Sequence, residues 1–217
     1  MPQYAALMQE LGSLVLAQGA AIVFTVIGVA IFLVGLAWLV GVYNGVQRAR
    51  VRAANAFSQI DVQLKRRFDL IPNLIEVAKG YMSHERETLQ AVISARSTAQ
   101  QSLSNRAARP TDPQAAAQLD QAVTGMEGAL SRLLAVAEAY PELKANQNML
   151  QVQEELTSTE NRIAFARQAF NDSVMRFNEL IVVFPNNVIA GFFGFQAMSP
   201  FQAEAAERAL PQVAFSR

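Results

Sequence analysis

The chain has 217 residues, 52% of them hydrophobic, and its 18 Lys+Arg balance 18 Asp+Glu, which suits one domain with a real core plus an appendage. With no cysteine and one histidine, His84, the sequence excludes a disulfide framework, a thiolate zinc site, an iron–sulfur cluster, a Cys nucleophile and a multi-histidine metal site. A formal net charge of zero removes the broad basic surface that nonspecific nucleic-acid binding needs, so no nucleic-acid partner is expected.

Residues 1–18 are a short extension without Lys or Arg, in which Leu7, Leu11, Leu14 and Val15 predict a short interfacial helix or a continuation of the apolar run after it. Between Glu10 and Arg48 lie 37 uncharged residues. Inside them, residues 19–42 carry Thr25 as their only polar side chain, a hydroxyl able to bond back to its own helix. At the helical rise this run is about 36 Å long, enough to cross a hydrocarbon core of about 30 Å with some tilt. It predicts a transmembrane helix. A cleaved signal peptide wants a basic start and a shorter apolar run, and a buried core helix seldom goes 24 residues without a charge. Arg48, Arg50, Arg52, Lys65, Arg66 and Arg67 come after the span, so the positive-inside rule places the C-terminal region in the cytoplasm and the N-terminus outside. Trp38 and Tyr43, with Arg48, Arg50 and Arg52, are the expected membrane-interface residues.

Residues 43–184 read as a helical bundle without the usual strand signals. From Ala53 the stripe Phe57, Ile60, Leu64, Phe68, Ile71, Ile75, Ala78, Met82 advances by threes and fours. Pro72 inside it removes a backbone donor, which predicts a kink or restart, with Asn73 and Glu76 in capping-box spacing. Gly80 suits a helix end, and Ser83 with Glu85 and Glu87 a new start near His84. That second helix should run into Ser97–Asn105 and break at Arg109-Pro110-Thr111-Asp112-Pro113. A third stripe, Leu119, Val123, Met126, Leu130, Leu133, Ala137, Tyr140, stops at Pro141.

The fourth helix has the strongest pattern. Met149, Leu156, Ile163, Phe170, Phe177 and Phe184 recur every seven residues, with Val152, Thr159, Ala166, Ser173 and Leu180 between them. Large residues at one seam position and mostly small ones at the other predict coiled-coil-like packing, with Phe170 and Ala166 buried. An up-down-up-down order brings this helix back toward the membrane. Asp61/Lys65 form an i,i+4 pair, and Glu155, Glu160, Arg162 and Arg167 read first as a solvated face, with a polar network between helices or a partner surface as the alternatives.

Residues 185–217 are a Phe-rich tail, where Phe184, Phe192, Phe193, Phe195, Phe201 and Phe215 gather six of the chain's 13 phenylalanines at and after Phe184-Pro185. Three burials compete: on the chain's own bundle through Val188, Ile189, Phe192, Phe193 and Phe195, on a neighbouring protomer, or in the bilayer, which Gly191 and Gly194 allow the backbone to approach; the expectation is a membrane-proximal tail packed on its own bundle or on a neighbour. Phe192, Phe193, Phe195 and Phe201 are the candidate protein-interaction residues.

Catalytic arrangements are weak. His84-Glu85-Arg86-Glu87-Thr88 has Thr88 where a zinc-protease motif needs its second histidine. Gly191-Phe192-Phe193-Gly194 lacks both the lysine of a phosphate loop and the third glycine of a dinucleotide turn. Glu154 and Glu155 point to different sides of a helix, and no Ser/His/Asp set is visible. No catalytic, cofactor or metal site is expected.

Several blocks resemble a known family: Tyr43-Asn44-Gly45-Val46, the run from Ser58 to Leu74 containing Arg66-Arg67-Phe68-Asp69-Leu70-Ile71-Pro72-Asn73, Glu138-Ala139-Tyr140-Pro141-Glu142-Leu143-Lys144-Ala145-Asn146, Glu154-Glu155-Leu156, Glu160-Asn161-Arg162-Ile163-Ala164-Phe165-Ala166-Arg167, and Gly191-Phe192-Phe193-Gly194-Phe195. Together they closely resemble the LemA family from Tyr43 to Phe195. The resemblance implies a bacterial inner-membrane protein with a helical soluble part and no assigned enzymatic activity; some relatives are tied to the building of membrane organelles. The extension before the span departs from the family pattern.

The expectation is therefore an all-α chain: an N-terminal transmembrane helix, an elongated antiparallel bundle of about four long helices, and a Phe/Gly-rich tail. Its expected role is a non-enzymatic scaffold that self-associates or organises other membrane proteins. The alternative is an accessory regulator of a membrane-bound enzyme such as a protease or sensor kinase. Membrane lipid, a second copy of the chain as a homo-oligomer and another membrane protein are the expected partners.

Overall fold

A computed structural model describes the backbone of residues 2–201 and the side chains at 18, 19 and from 22 onward. Among these residues the chain is helical throughout: α1 (Pro2–Lys79), α2 (Arg86–Ala108), α3 (Pro113–Ala137), α4 (Pro141–Lys144), α5 (Gln147–Val182) and α6 (Asn186–Phe192). Phe215 and the tail beyond Phe201 lie outside the described residues.

α1 is one unbroken helix of 78 residues, so the extension, the apolar segment and the first bundle helix are one continuous element. Its large apolar side chains from Ile22 to Val40 face outward with no protein against them. It is the one helix among the described residues that is long and apolar enough to cross a membrane, which makes it a candidate membrane anchor.

Of the kink or restart expected at Pro72, the restart does not occur. A proline in a helix leaves the carbonyl four residues back without its donor. Here that carbonyl belongs to Phe68, and Arg96 of α2 donates its Nε–H to it at 2.7 Å. A side chain from the neighbouring helix replaces the missing backbone bond, and α1 continues to Lys79.

The apolar stripes become the core. Ile60, Leu64, Phe68, Ile71, Ile75, Ala78 and Met82 are buried, and the stripe extends back to Val46, Ala49 and Ala53. α2 begins two residues later than expected, at Arg86, without a side-chain cap; its buried face holds Leu89, Val92, Ala99 and Leu103. α3 starts at the end of the expected break, with Pro113 in the first turn and Asp112 accepting from the Gln114 N–H at 2.9 Å. Every member of its stripe from Leu119 to Ala137 is buried, while Tyr140 is half-buried and leads into the short α4.

α5 is capped by Asn146, whose Oδ1 accepts from the Asn148 and Met149 N–H groups. Met149, Leu156, Ile163, Phe170 and Phe177 are buried as the heptad predicts. The seam stops there. Phe184 lies beyond the end of α5 and is exposed, since the residue before a proline leaves the α region. Val174 and Ile181, four residues after Phe170 and Phe177, replace it in the core, and Ala166 is half-buried against the core rather than enclosed.

α5 packs along α1 and α3 pairs with α2. Ring and ion contacts fix the direction: Phe57 meets Phe170, Arg66 meets Glu155, and the Asn146 side chain reaches Tyr81. Residue numbers fall on α1 as they rise on α5, so the two are antiparallel and α5 returns toward the span.

Candidate functional site

The end of the bundle nearest the apolar segment gathers the tail, the end of that segment and the exposed Arg48, Arg50, Arg52 and Arg176. α6 divides its side chains by helical spacing: Ile189 and Ala190 are buried on the bundle, while Val188 and Phe192, four residues apart, point outward. Gly194 then adopts φ +69°, a conformation that side chains rarely tolerate, and the Phe195 N–H bonds the Ala190 carbonyl at 2.9 Å. The chain reverses there and runs back along α5.

Two asparagines hold the returning segment. Asn178 donates Nδ2–H to the Met198 carbonyl at 2.8 Å and accepts from the Met198 N–H at 2.9 Å. Asn171 repeats the pattern with the Phe201 carbonyl at 3.1 Å and the Phe201 N–H at 2.8 Å. Seven residues of helix advance about 10.5 Å and three extended residues about 10 Å, so the two spacings match. A primary amide carries both a donor and an acceptor, as each pairing requires.

The aromatic residues separate into three environments. Phe201 is buried against Phe57 and Phe170, with the Arg167 guanidinium over its ring at 5.5 Å from the centroid. It therefore belongs to the chain's own core and is not a free interaction residue, because the asparagine pairs draw it inward. Phe195 is half-buried between Tyr43 and Phe177. Phe193 lies on Tyr43 at 4.7 Å between centroids, with much of its other side exposed, and Phe192 is outward-facing. Tyr43 is thus half-buried beneath the tail, whereas Trp38, Arg48, Arg50 and Arg52 are exposed. Val182, Val183 and Arg176, not singled out from the sequence, join this end with Phe184 as exposed side chains.

Two polar clusters sit deeper. Arg106 is buried, donates to the Asp112 carbonyl at 3.3 Å and the Ser199 carbonyl at 3.0 Å, and lies over Phe57. Burial lowers its pKa, and the charges of Asp120 and Asp112 act in the opposite direction. A cavity of about 240 Å³ beside it is lined by Ala53, Phe57, Asp61, Phe170 and Met198. Farther from the span, buried Arg67 pairs with Glu127 at 3.2 Å and with Glu160, while Arg167 also reaches Glu127 at 3.5 Å. Arg66 meets Glu155 at 2.9 Å. Glu160 and Arg167 thus join Arg67 and Glu127 in a network between α1, α3 and α5, and Glu155 forms a separate, exposed pair with Arg66, in place of a simple solvated face; Arg162 remains exposed, and Asp61–Lys65 forms the expected i,i+4 pair. Among the described residues no three His, Cys, Asp or Glu side chains gather as a metal-ion site.

A family model described as the LemA family matches residues 56–215. The chain is 30% identical over 169 residues to protein LemA of Metamycoplasma hominis, covering 78% of this chain and 73% of that protein. It is 32% identical over 82 residues to magnetosome protein MamQ of Magnetospirillum gryphiswaldense, covering 38% of this chain and 30% of that protein. Magnetosome protein MamQ 2 of Paramagnetospirillum magneticum is 33% identical over the same length and with the same coverage.

Proposed function

The chain belongs to the LemA family, and from that premise we propose that it is a non-enzymatic, membrane-anchored scaffold that self-associates or organises other membrane proteins. The observation that carries this reading is the continuity of α1, which joins the candidate anchor to the bundle without a hinge. An orientation imposed on the apolar segment is transmitted to the whole bundle, as an organising rod needs. From residue 43 to Lys79 this helix extends about 55 Å from the apolar segment. The MamQ relatives are magnetosome proteins by name, which supports a part in an assembly rather than in a reaction, over a matched segment that is 30% of their length.

The arginines after the apolar segment support a cytoplasmic bundle and an external N-terminus in a bacterial inner membrane. A reporter fused at residue 217 is expected to work in the cytoplasm, and periplasmic activity would reverse the orientation. Cross-linking and mass measurement in native membranes test the scaffold role. One homogeneous, enlarged complex is the expected result, whereas a monomer that co-purifies with a single enzyme would replace it by the accessory-regulator reading.

A further inference from the structure

We propose that the end of α5 and the outer face of α6 make a second, monotopic contact with the bilayer, so that the bundle rests on the lipid surface with its apolar end inserted beside the span. This rests on reading the apolar part of α1 as the membrane anchor.

Four observations converge on lipid as the occupant. First, Val182, Phe184, Val188 and Phe192 are 67%, 77%, 63% and 84% exposed, in a small region whose opposite side, Ile181, Ile189 and Ala190, is already buried on the bundle. Second, no charged residue occurs between Glu179 and Glu204; the exposed polar side chains beside the patch are the neutral amides Asn187 and Gln196, which suit the interfacial layer of a bilayer where a charge would not enter its apolar part. Third, the patch adjoins the apolar segment itself: Phe192 packs edge-on against Phe193 at 5.1 Å, and Phe193 against Tyr43, which directly succeeds the apolar run 19–42.

The fourth observation is one of level. Phe57 and Phe170 are in contact across the antiparallel pair α1 and α5. Nine residues toward the apolar end from Phe57 is Arg48, and nine toward it from Phe170 is Glu179. Arg48 is the last charge on α1 before its uncharged run, and Glu179 is the last on α5. Charge therefore ends at one height on both helices, as it would where an aqueous phase gives way to hydrocarbon. Exposed Arg48, Arg50, Arg52 and Arg176 lie on the aqueous side of that boundary, where lipid phosphates accept hydrogen bonds from guanidinium groups. A second copy of the chain could cover Phe192, but it would not account for the shared boundary on α1, whose apolar side chains continue outward past it.

The test uses the full chain in phosphatidylcholine–phosphatidylglycerol vesicles. Because the native chain has no cysteine, Phe184→Cys, Phe192→Cys, Val29→Cys and Thr157→Cys each take one environment-sensitive dye. Phospholipids with nitroxides at shallow or deep acyl positions then quench whatever touches lipid. Expected are strong quenching at 184 and 192 by the shallow nitroxide, strong quenching at 29, preferentially by the deep one, and none at 157. Quenching at 29 without quenching at 184 and 192 overturns the second contact and leaves the anchor reading intact. No quenching at 29 overturns the anchor reading and this proposal with it. A blue-shifted dye at 192 that lipid does not quench, and that shifts red as protein is diluted into excess lipid, assigns the face to a second copy and also overturns the proposal.

Discussion

Replacing Arg96 by Met should destabilise the bundle through a proline on another helix. Pro72 has no N–H, so the carbonyl of buried Phe68 depends on the Arg96 Nε–H at 2.7 Å. A hydrogen bond from a charged donor contributes about 1.5–3 kcal/mol, and methionine preserves much of the aliphatic stem while removing the donor. In a chain of this size about 1 kcal/mol moves the melting midpoint by about 2–4 °C, so the expected loss is about 3–12 °C, read by circular dichroism in detergent. Pro72→Ala supplies the missing N–H and should raise stability by up to about 3 kcal/mol. In that background Arg96→Met should cost less than about 1 kcal/mol, because the carbonyl now has an intrahelical partner. The double-mutant cycle cancels the effect of proline on the unfolded chain. Equal costs for Arg96→Met in both backgrounds would refute the repair argument.

Phe170→Ala removes the centre of the Phe57–Phe170–Phe201 cluster and should cost about 3–5 kcal/mol; a midpoint equal to that of the parent would mean the heptad seam is misassigned. Asn178→Ala removes both bonds to Met198, each contributing about 0.5–1.5 kcal/mol, and hydrogen exchange at the Met198 amide should accelerate while α1 and α5 stay protected. Unchanged exchange there would show that the asparagine does not hold the tail. Arg67→Met leaves Glu127 with Arg167 and leaves Glu160 half in water, so its cost should fall near the lower end of the about 3–5 kcal/mol seen for broken buried pairs. Adding Glu160→Gln should recover part of that loss, as denaturant unfolding would register.

Much of the architecture comes from periodicity. The apolar stripes at Ile60–Met82, Leu119–Ala137 and Met149–Phe177 become the core because a regular helix brings residues three and four apart to one face, whatever it packs against. The candidate anchor is equally local, since length and the lack of charge are properties of one segment. Asp112 with Pro113 and Asn146 mark the starts of α3 and α5 by chemistry within three residues.

What sequence order left open depends on groups far apart in the chain. Pro72 stays helical because of Arg96, Glu160 and Arg167 join one network because Arg67 and Glu127 converge on them from α1 and α3, and Glu155 finds its own partner in Arg66. Asn171 and Asn178, seven apart and each directly after a seam phenylalanine, were a legible signal of a helix face with a polar task, but not of the segment they bind. The phenylalanines show the limit most directly. Phe192 and Phe201 are the same residue in the same uncharged stretch between Glu179 and Glu204, yet one is 84% exposed and the other 6%. Hydrophobicity demands that both leave water, but it is non-directional. Tertiary geometry decides between them: the turn at Gly194 and two amide pairs on α5 carry Phe201 into the core, whereas the inner face of α6 is filled by Ile189 and Ala190 and leaves Phe192 facing outward.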